Sequence, residues 1–389
     1  MSSSVSPADP DETPLPLAAV ITELDPGGAE RAFARIICGL TSRGWAPHVF
    51  ALSAGQAGAG SLRESIVSAG VSVTLLDSLR PVDPRPLRRF LRAERPPAVL
   101  SFLFHANMLA RVTARSAGGA AVVCGVRVAE RRRNGYRTLD RLTASLVDRW
   151  VCVGESVRQF SVAPPSEGGG GLPADRVVTI PNGVDADLWA NAVPANRAAL
   201  GLPAEGRVLL FAGRIDVQKD PDTLLEAFAK LDRSDVHLLV AGEGALLEQV
   251  QQWVATNPAG ERVRVLGRRD DLPALMRLAD VFVLPSRWEG TPNVLLEAAA
   301  AGTPIVATAV DGTAEVFTHG ETARLVPVGD ADALAVELRW TLDHPADAAA
   351  MAERAREKVL AAHRWEAVVD AYDALLREVV SERAAGRRR

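Results

Sequence analysis

The sequence predicts an α/β protein of two doubly wound domains, each a parallel sheet with helices on both faces. Three observations lead there. At 389 residues the chain exceeds what one hydrophobic core usually organises, and with 48% hydrophobic residues it can fill two. Short apolar runs alternate with stretches of helical spacing, an order that gives parallel strands with right-handed crossovers. That alternation occurs twice, on either side of a strand-free stretch at 186–206, ADLWANAVPANRAALGLPAEG.

The first series opens with LAAVITEL at 17–24, read as a buried strand. Asp25-Pro26-Gly27-Gly28 follows, then a helix that ends at Gly44. A glycine pair between strand and helix lets backbone N–H groups approach a phosphate, and a tight turn explains it as well. The alternation continues through PHVFALSA, a helix near 61–69, VSVTLL, a helix near 85–94, and AVLSFLF at 98–104. His105 stands where that strand gives way to a helix, placed to face a crevice at the carboxyl ends of the strands or to serve as a cap or core group. AVVCGVRV, a helix near 138–147, WVCVGES and VVTIPNGV complete the series, with PPSEGGGGLPA at 164–174 expected as a flexible loop. The expected division is a disordered tail over 1–16, a first domain over 17–190, and a second over 191–363. A last helix over about 364–384, apolar at Trp365, Val368, Val369, Tyr372, Leu375 and Leu376, is expected to pack back on the first.

Composition narrows the function. No apolar run is long enough to span a bilayer and the polar, proline-rich start is unlike a signal peptide, so a cytoplasmic protein is expected. Cys38, Cys124 and Cys152 lack metal-ligand spacing and are expected to be reduced core residues. The net charge of −4 hides an asymmetry: residues 17–190 carry 21 Arg against 15 acidic groups, whereas residues 191–389 carry 23 basic against 30 acidic groups. Basic runs at 80–97 and 127–137 read either as solvated faces or as a surface for an anionic acceptor or membrane, with peripheral attachment to the inner membrane face. Nucleic acid is not expected, because aromatics are few (5%) and do not alternate with the basic residues.

The second series begins RVLLFAGRIDVQKDPDTLLEAF, where Arg214 and Lys219 flank a loop after a strand and Asp220-Pro221 read as N-cap and first turn of a helix. Two such cations at a helix start can neutralise a diphosphate. After two intervening strands DVFVLPSRWEGTPNVLLEAAAA places Glu289 in a loop at a strand's carboxyl end and Glu297 one turn into the next helix. Asp-x-Asp occurs four times, at 9–11, 185–187, 220–222 and 330–332, too cheaply to assign a metal, and no Walker or Gly-x-Ser-x-Gly sequence is present.

EGTPNVLLE resembles the E-x7-E signature of the family-4 retaining glycosyltransferases, two-Rossmann-domain enzymes of the GT-B fold whose domains face across a cleft. PGGAER, IPNGVD, GRIDVQKDPDTLLEAF, VAGEG, LGRRDDLPALMRLADVFVLPS and AAGTPIVAT agree in order. The match is specific through the second domain and looser in the first.

The resemblance implies transfer of a glycosyl group from a nucleoside diphosphate sugar to an acceptor hydroxyl, with retention and without a metal. It implies that Arg214 and Lys219 bind the diphosphate, that Glu297 holds the ribose, and that Glu289, Gly290, Thr291, Asn293 and Val294 hold sugar hydroxyls and phosphates. Arg268 would lie beside the base, Gly27 and Gly28 would close over the diphosphate, and His105 would approach the donor sugar. A nucleotide-sugar epimerase on the same fold and a non-catalytic nucleotide-sugar binding protein are the alternatives.

Overall fold

A computed structural model describes residues 13–25, 27–54, 61–76, 82–129 and 134–386. The expected tail up to residue 12, the Asp-x-Asp at 9–11, Pro26, and the parts of the basic runs at 80–81 and 130–133 lie outside them. The chain forms two compact units, Met1–Asn182 with Trp365–Arg389, and Gly183–Arg364. The division thus falls between Asn182 and Gly183, ahead of the strand-free stretch. The physical reason is that this stretch belongs to the second core. Trp189 is buried in it, Ala195 N–H donates to the Ala274 carbonyl, and Val184 N–H donates to the His363 carbonyl.

In the first unit, β1 (Leu15–Ile21), β2 (Trp45–Ala51), β3 (Ser72–Leu75), β4 (Ala98–Phe102), β5 (Ala121–Val126), β6 (Arg149–Cys152) and β7 (Val177–Thr179) form one parallel sheet, ordered β3-β2-β1-β4-β5-β6-β7. The strands are short and apolar because both faces are covered. Phe33, Ile36, Ile37 and Leu40 of helix Gly28–Thr41 cover one face together with the last helix, Trp365–Gly386. That last helix inserts Val368, Val369, Tyr372, Leu376 and Val379 into the same core. Polar contacts fix its register: Trp45 Nε1 donates to Asp373 at 2.7 Å, and Arg383 reaches both Asp148 oxygens at 2.7 Å.

Two expectations are corrected here. The strand after Pro97 stops at Phe102, because Leu103 takes φ 73, a left-handed conformation that a strand cannot continue. His105 is therefore inside helix Phe104–Ala117 rather than ahead of it. The glycine-rich loop at 164–174 is docked, not free: Gly170, Gly171 and Leu172 N–H groups donate to the carbonyls of Phe160, Ala163 and Ser161. A Cβ on Gly169 would meet the Ala163 carbonyl oxygen at 2.2 Å and one on Gly170 the Ser161 carbonyl oxygen at 2.6 Å, so at these two positions the backbone passes too close for a side chain.

The second unit holds β8 (Arg207–Ala212), β9 (Val236–Ala241), β10 (Val263–Gly267), β11 (Val281–Leu284), β12 (Ile305–Thr308) and β13 (Arg324–Val326), all parallel, ordered β10-β9-β8-β11-β12-β13. In both sheets the strand order reverses once, between β1 and β4 and between β8 and β11. Helices leaving the two strands at such a reversal go to opposite faces, so the loops part and leave a crevice at the strand ends.

Cys124 and Cys152 are buried and Cys38 half-buried, all three unbonded to one another. Burial pushes the Cys124 and Cys152 thiols up to about 11.

Replacing Tyr372, fully buried against Phe102, by alanine is expected to cost the first unit about 3–5 kcal/mol. Denaturant unfolding followed by Trp45 and Trp150 fluorescence measures this, and a loss under about 1 kcal/mol would mean the last helix is not part of that core.

Candidate functional site

The loop from Gly213 to Asp220 leaves β8 and ends at helix Pro221–Lys230. Lys219 and Asp220 N–H groups both donate to the Asp216 carbonyl, and Asp216 Oδ1 also accepts from Lys219 N–H at 3.1 Å. This tight turn aims the Lys219 side chain back over the strand end. Asp220 closes it at φ 50, a left-handed conformation that aspartate tolerates better than most residues. Its carboxylate was expected to cap the following helix, but it makes no backbone cap bond. It accepts instead from Thr223 Oγ1 at 2.8 Å and from Arg287 Nε at 3.0 Å and Nη2 at 3.1 Å. The left-handed turn sets the carboxylate between the Thr223 hydroxyl of the helix's first turn and Arg287 of the neighbouring loop.

That neighbouring loop, Pro285–Pro292, leaves β11, the strand beside β8 across the order reversal. It brings Glu289 Oε1 to 2.5 Å from Lys219 Nζ, with side chains 7% and 12% exposed. Gln218 Nε2 donates to the Trp288 carbonyl at 3.0 Å and to Glu289 Oε2 at 3.3 Å, while its Oε1 accepts from Arg214 at 3.1 Å. Arg214 is 70% exposed, with Asp216 Oδ2 at 3.7 Å. The structure thus joins Arg214, Lys219 and Glu289 in one network, through a glutamine that the sequence analysis passed over. The signal available was its place between the two cations.

Gly290, Thr291 and Pro292 lead into helix Asn293–Ala301, which carries Asn293 and Val294 in its first turn and half-buried Glu297 one turn on. Two glycines let the backbones around this loop pack closely. A Cβ on Gly242 would lie 1.9 Å from the Gly213 carbonyl oxygen, and one on Gly312 would lie 1.5 Å from that of Gly290. Arg268 stands exposed just after β10, two strands from β8 in the sheet order.

In the first unit the analogous positions hold the remaining predicted residues. Gly27 caps and Gly28 starts the helix after β1, and buried Glu30 folds its carboxylate back to within 2.2 Å of where a Gly27 Cβ would sit. His105 is exposed after β4, its Nε2 lying 3.3 Å from the Tyr136 hydroxyl, and Phe104 stacks on Tyr136 with ring centroids 3.8 Å apart. Among the described residues no cluster of three or more His, Cys, Asp or Glu side chains could hold a metal ion. No helix among them is long and apolar enough to cross a membrane.

Two α/β units, each with polar residues gathered where its strand order reverses, define a protein of the doubly wound α/β type. The chain belongs to the family-4 glycosyltransferases: residues 26–188 match Glycosyltransferase Family 4, and residues 193–358 match Glycosyl transferases group 1. It is 36% identical over 203 residues to a glycogen synthase of Mycobacterium tuberculosis, spanning 50% of this chain and 47% of that one. It is 40% identical over 211 residues to a phosphatidyl-myo-inositol mannosyltransferase of Mycolicibacterium smegmatis, 52% of each. The chain spans about half the length of the curated relatives it matches. Among solved structures, a glycosyltransferase of Rickettsia africae superposes with a TM-score of 0.82 at 17% identity, over 95% of this chain and 99% of that one. HepE of Anabaena in complex with UDP-glucose gives 0.78 at 19% identity, over 95% and 100%. The fold is the GT-B type, two parallel-sheet α/β domains.

Gly312→Ala is expected to push the Gly290 backbone away and lower stability by about 1–3 kcal/mol. Thermal unfolding checks it, and a variant as stable as the parent would show that the two backbones are not in contact.

Proposed function

We propose that this chain is a retaining glycosyltransferase that moves a glycosyl group from a nucleoside diphosphate sugar to an acceptor hydroxyl without a metal. The observation that carries this reading is the buried Lys219–Glu289 contact beside exposed Arg214, at the order reversal of the sheet matching Glycosyl transferases group 1. HepE is held with UDP-glucose and the Mycolicibacterium relative is named a mannosyltransferase, which supports the same donor class here.

In this reading the bond from the anomeric carbon to the diphosphate oxygen breaks and a bond to the acceptor oxygen forms on the same face. The acceptor's proton passes to the departing diphosphate. Arg214, Lys219 and the N-terminal N–H groups of helix Asn293–Ala301 meet the charge that grows on the diphosphate. Fixed cations and oriented N–H groups of this kind supply the neutralisation that a metal would otherwise give. Glu289 and the loop from Gly290 through Thr291 and Asn293 to Val294 hold the sugar. Glu297 holds the ribose and Arg268 lies beside the base.

A thermal-shift screen with UDP, GDP, ADP and dTDP sugars tests the donor class, and acceptor-dependent release of nucleoside diphosphate tests the reaction. Isomerised donor without release would support an epimerase, and binding without turnover a non-catalytic protein. Lys219→Ala is expected to lose the ligand-induced shift, measured against its own unliganded melting temperature. Glu289→Gln is expected to keep the nucleotide, since it frees Lys219, while losing turnover by roughly 10²- to 10³-fold. Nucleotide stabilising Lys219→Ala as strongly as the parent sinks the diphosphate assignment.

The acceptor is proposed to be anionic or membrane-associated. Helix Arg85–Ala93 buries Leu87 and Leu91 and exposes Arg85, Arg88, Arg89 and Arg92. Activity on an anionic acceptor should fall as salt rises from about 0.05 to 0.3 M, and fall further in an Arg88→Glu, Arg89→Glu, Arg92→Glu variant. Equal, salt-insensitive activity of parent and variant would exclude an electrostatic acceptor surface there.

A further inference from the structure

The reading above gives roles to Arg214, Lys219 and Glu289 but leaves open what keeps them in register on two separate loops. Gln218 is the one side chain in contact with both Arg214 and Glu289 among the contacts described above. Its partners fix which way the amide points. Arg214 can only donate, so Oε1 must face it, and the Trp288 carbonyl can only accept, so Nε2 must face that. The second Nε2 hydrogen reaches Glu289 Oε2, leaving Oε1 of the same carboxylate to Lys219. The Gln218 carbonyl also accepts from Arg287 N–H at 2.8 Å, so the residue ties the loops through backbone and side chain alike. Of the uncharged side chains of this reach, only a primary amide can donate to a carboxylate and a carbonyl and accept from a guanidinium at once.

We propose that Gln218 is a positioning residue for donor binding: it fixes the Glu289 carboxylate and the Arg214 guanidinium relative to Lys219, so that both cations meet one diphosphate. This rests on the donor-site reading. An aliphatic side chain would leave Arg214 and Glu289 each short of a partner. A carboxylate would keep Arg214 but set like charge against Glu289, and a proton shared between the two would restore the missing donor.

The test measures binding of UDP, GDP and ADP by calorimetry, from about pH 8 to about pH 5, as the ratio of each variant to the parent protein. Gln218→Leu is expected to bind about tenfold more weakly throughout. Gln218→Glu should be about tenfold weaker at high pH, with the deficit closing as pH falls and the introduced carboxyl takes up its proton. Val217→Glu puts the same charge on the adjacent residue, which is 51% exposed and outside the network, and should change binding little at any pH. The pH-dependent recovery is a readout that a merely structural role for Gln218 would not produce. Parent-like binding by Gln218→Leu, a Gln218→Glu deficit that does not close, or an equal deficit in Val217→Glu overturns the inference. A parent protein that binds none of the three nucleotides overturns the donor-site reading itself, and this inference with it.

Discussion

A lysine and a glutamate buried side by side where β8 and β11 end are the constraint on which the rest of the second unit depends. With side chains 12% and 7% exposed, Lys219 and Glu289 have given up most of their hydration. Such a pair is tolerable only when the geometry is close and the remaining polar atoms are matched. The geometry is close, 2.5 Å between the charged atoms, and Gln218 takes the second carboxylate oxygen, while Asp216 accepts from the Lys219 backbone N–H. Removing either partner would leave a charge with little water to compensate it, which is the strongly destabilising case.

The fold is what makes that proximity affordable in backbone terms. Lys219 and Glu289 are far apart in sequence, yet β8 and β11 are sheet neighbours, so their following loops start side by side. Close approach of the supporting backbones then requires glycine at 242 and 312, where any Cβ would overlap a carbonyl oxygen. The left-handed Asp220 completes the arrangement by sending its carboxylate sideways to Arg287 rather than along the helix axis. Asp220 joins the two loops directly, while Gly242 and Gly312 bring the backbones that follow β9 and β12 against Gly213 and Gly290.

Much of this was legible in the residue order. Strand-end loops carrying charge can be found from alternation and composition alone, and Arg214, Lys219 and Glu289 sit on such loops. What pattern reading could not supply was pairing. Lys219 and Glu289 read as separate tools, one for phosphate and one for sugar, because nothing in a linear sequence says that a cation from one loop will bond a carboxylate from another. Gln218 was passed over because a neutral amide between charges carries no periodic or electrostatic signal of its own. The break at Leu103 was missed for a related reason: AVLSFLF is apolar on both sides of Ser101, so hydropathy gives no sign that φ changes hand at one leucine. The boundary at Asn182 escaped because core membership of Trp189 is a packing fact, not a compositional one.

The two cations differ in a way that bears on their proposed work. Arg214 is 70% exposed and makes a long 3.7 Å contact with Asp216, so most of its charge is available to an incoming anion. Lys219 is 12% exposed and already neutralised by Glu289. Under the donor reading, an arriving diphosphate first meets Arg214 and then Lys219, which exchanges part of its contact with Glu289 for the phosphate oxygens. Under the same reading Glu289 and Glu297 do not act as an acid and base pair of the hydrolase type, the first being tied to a lysine in the loop and the second sitting a helical turn beyond it.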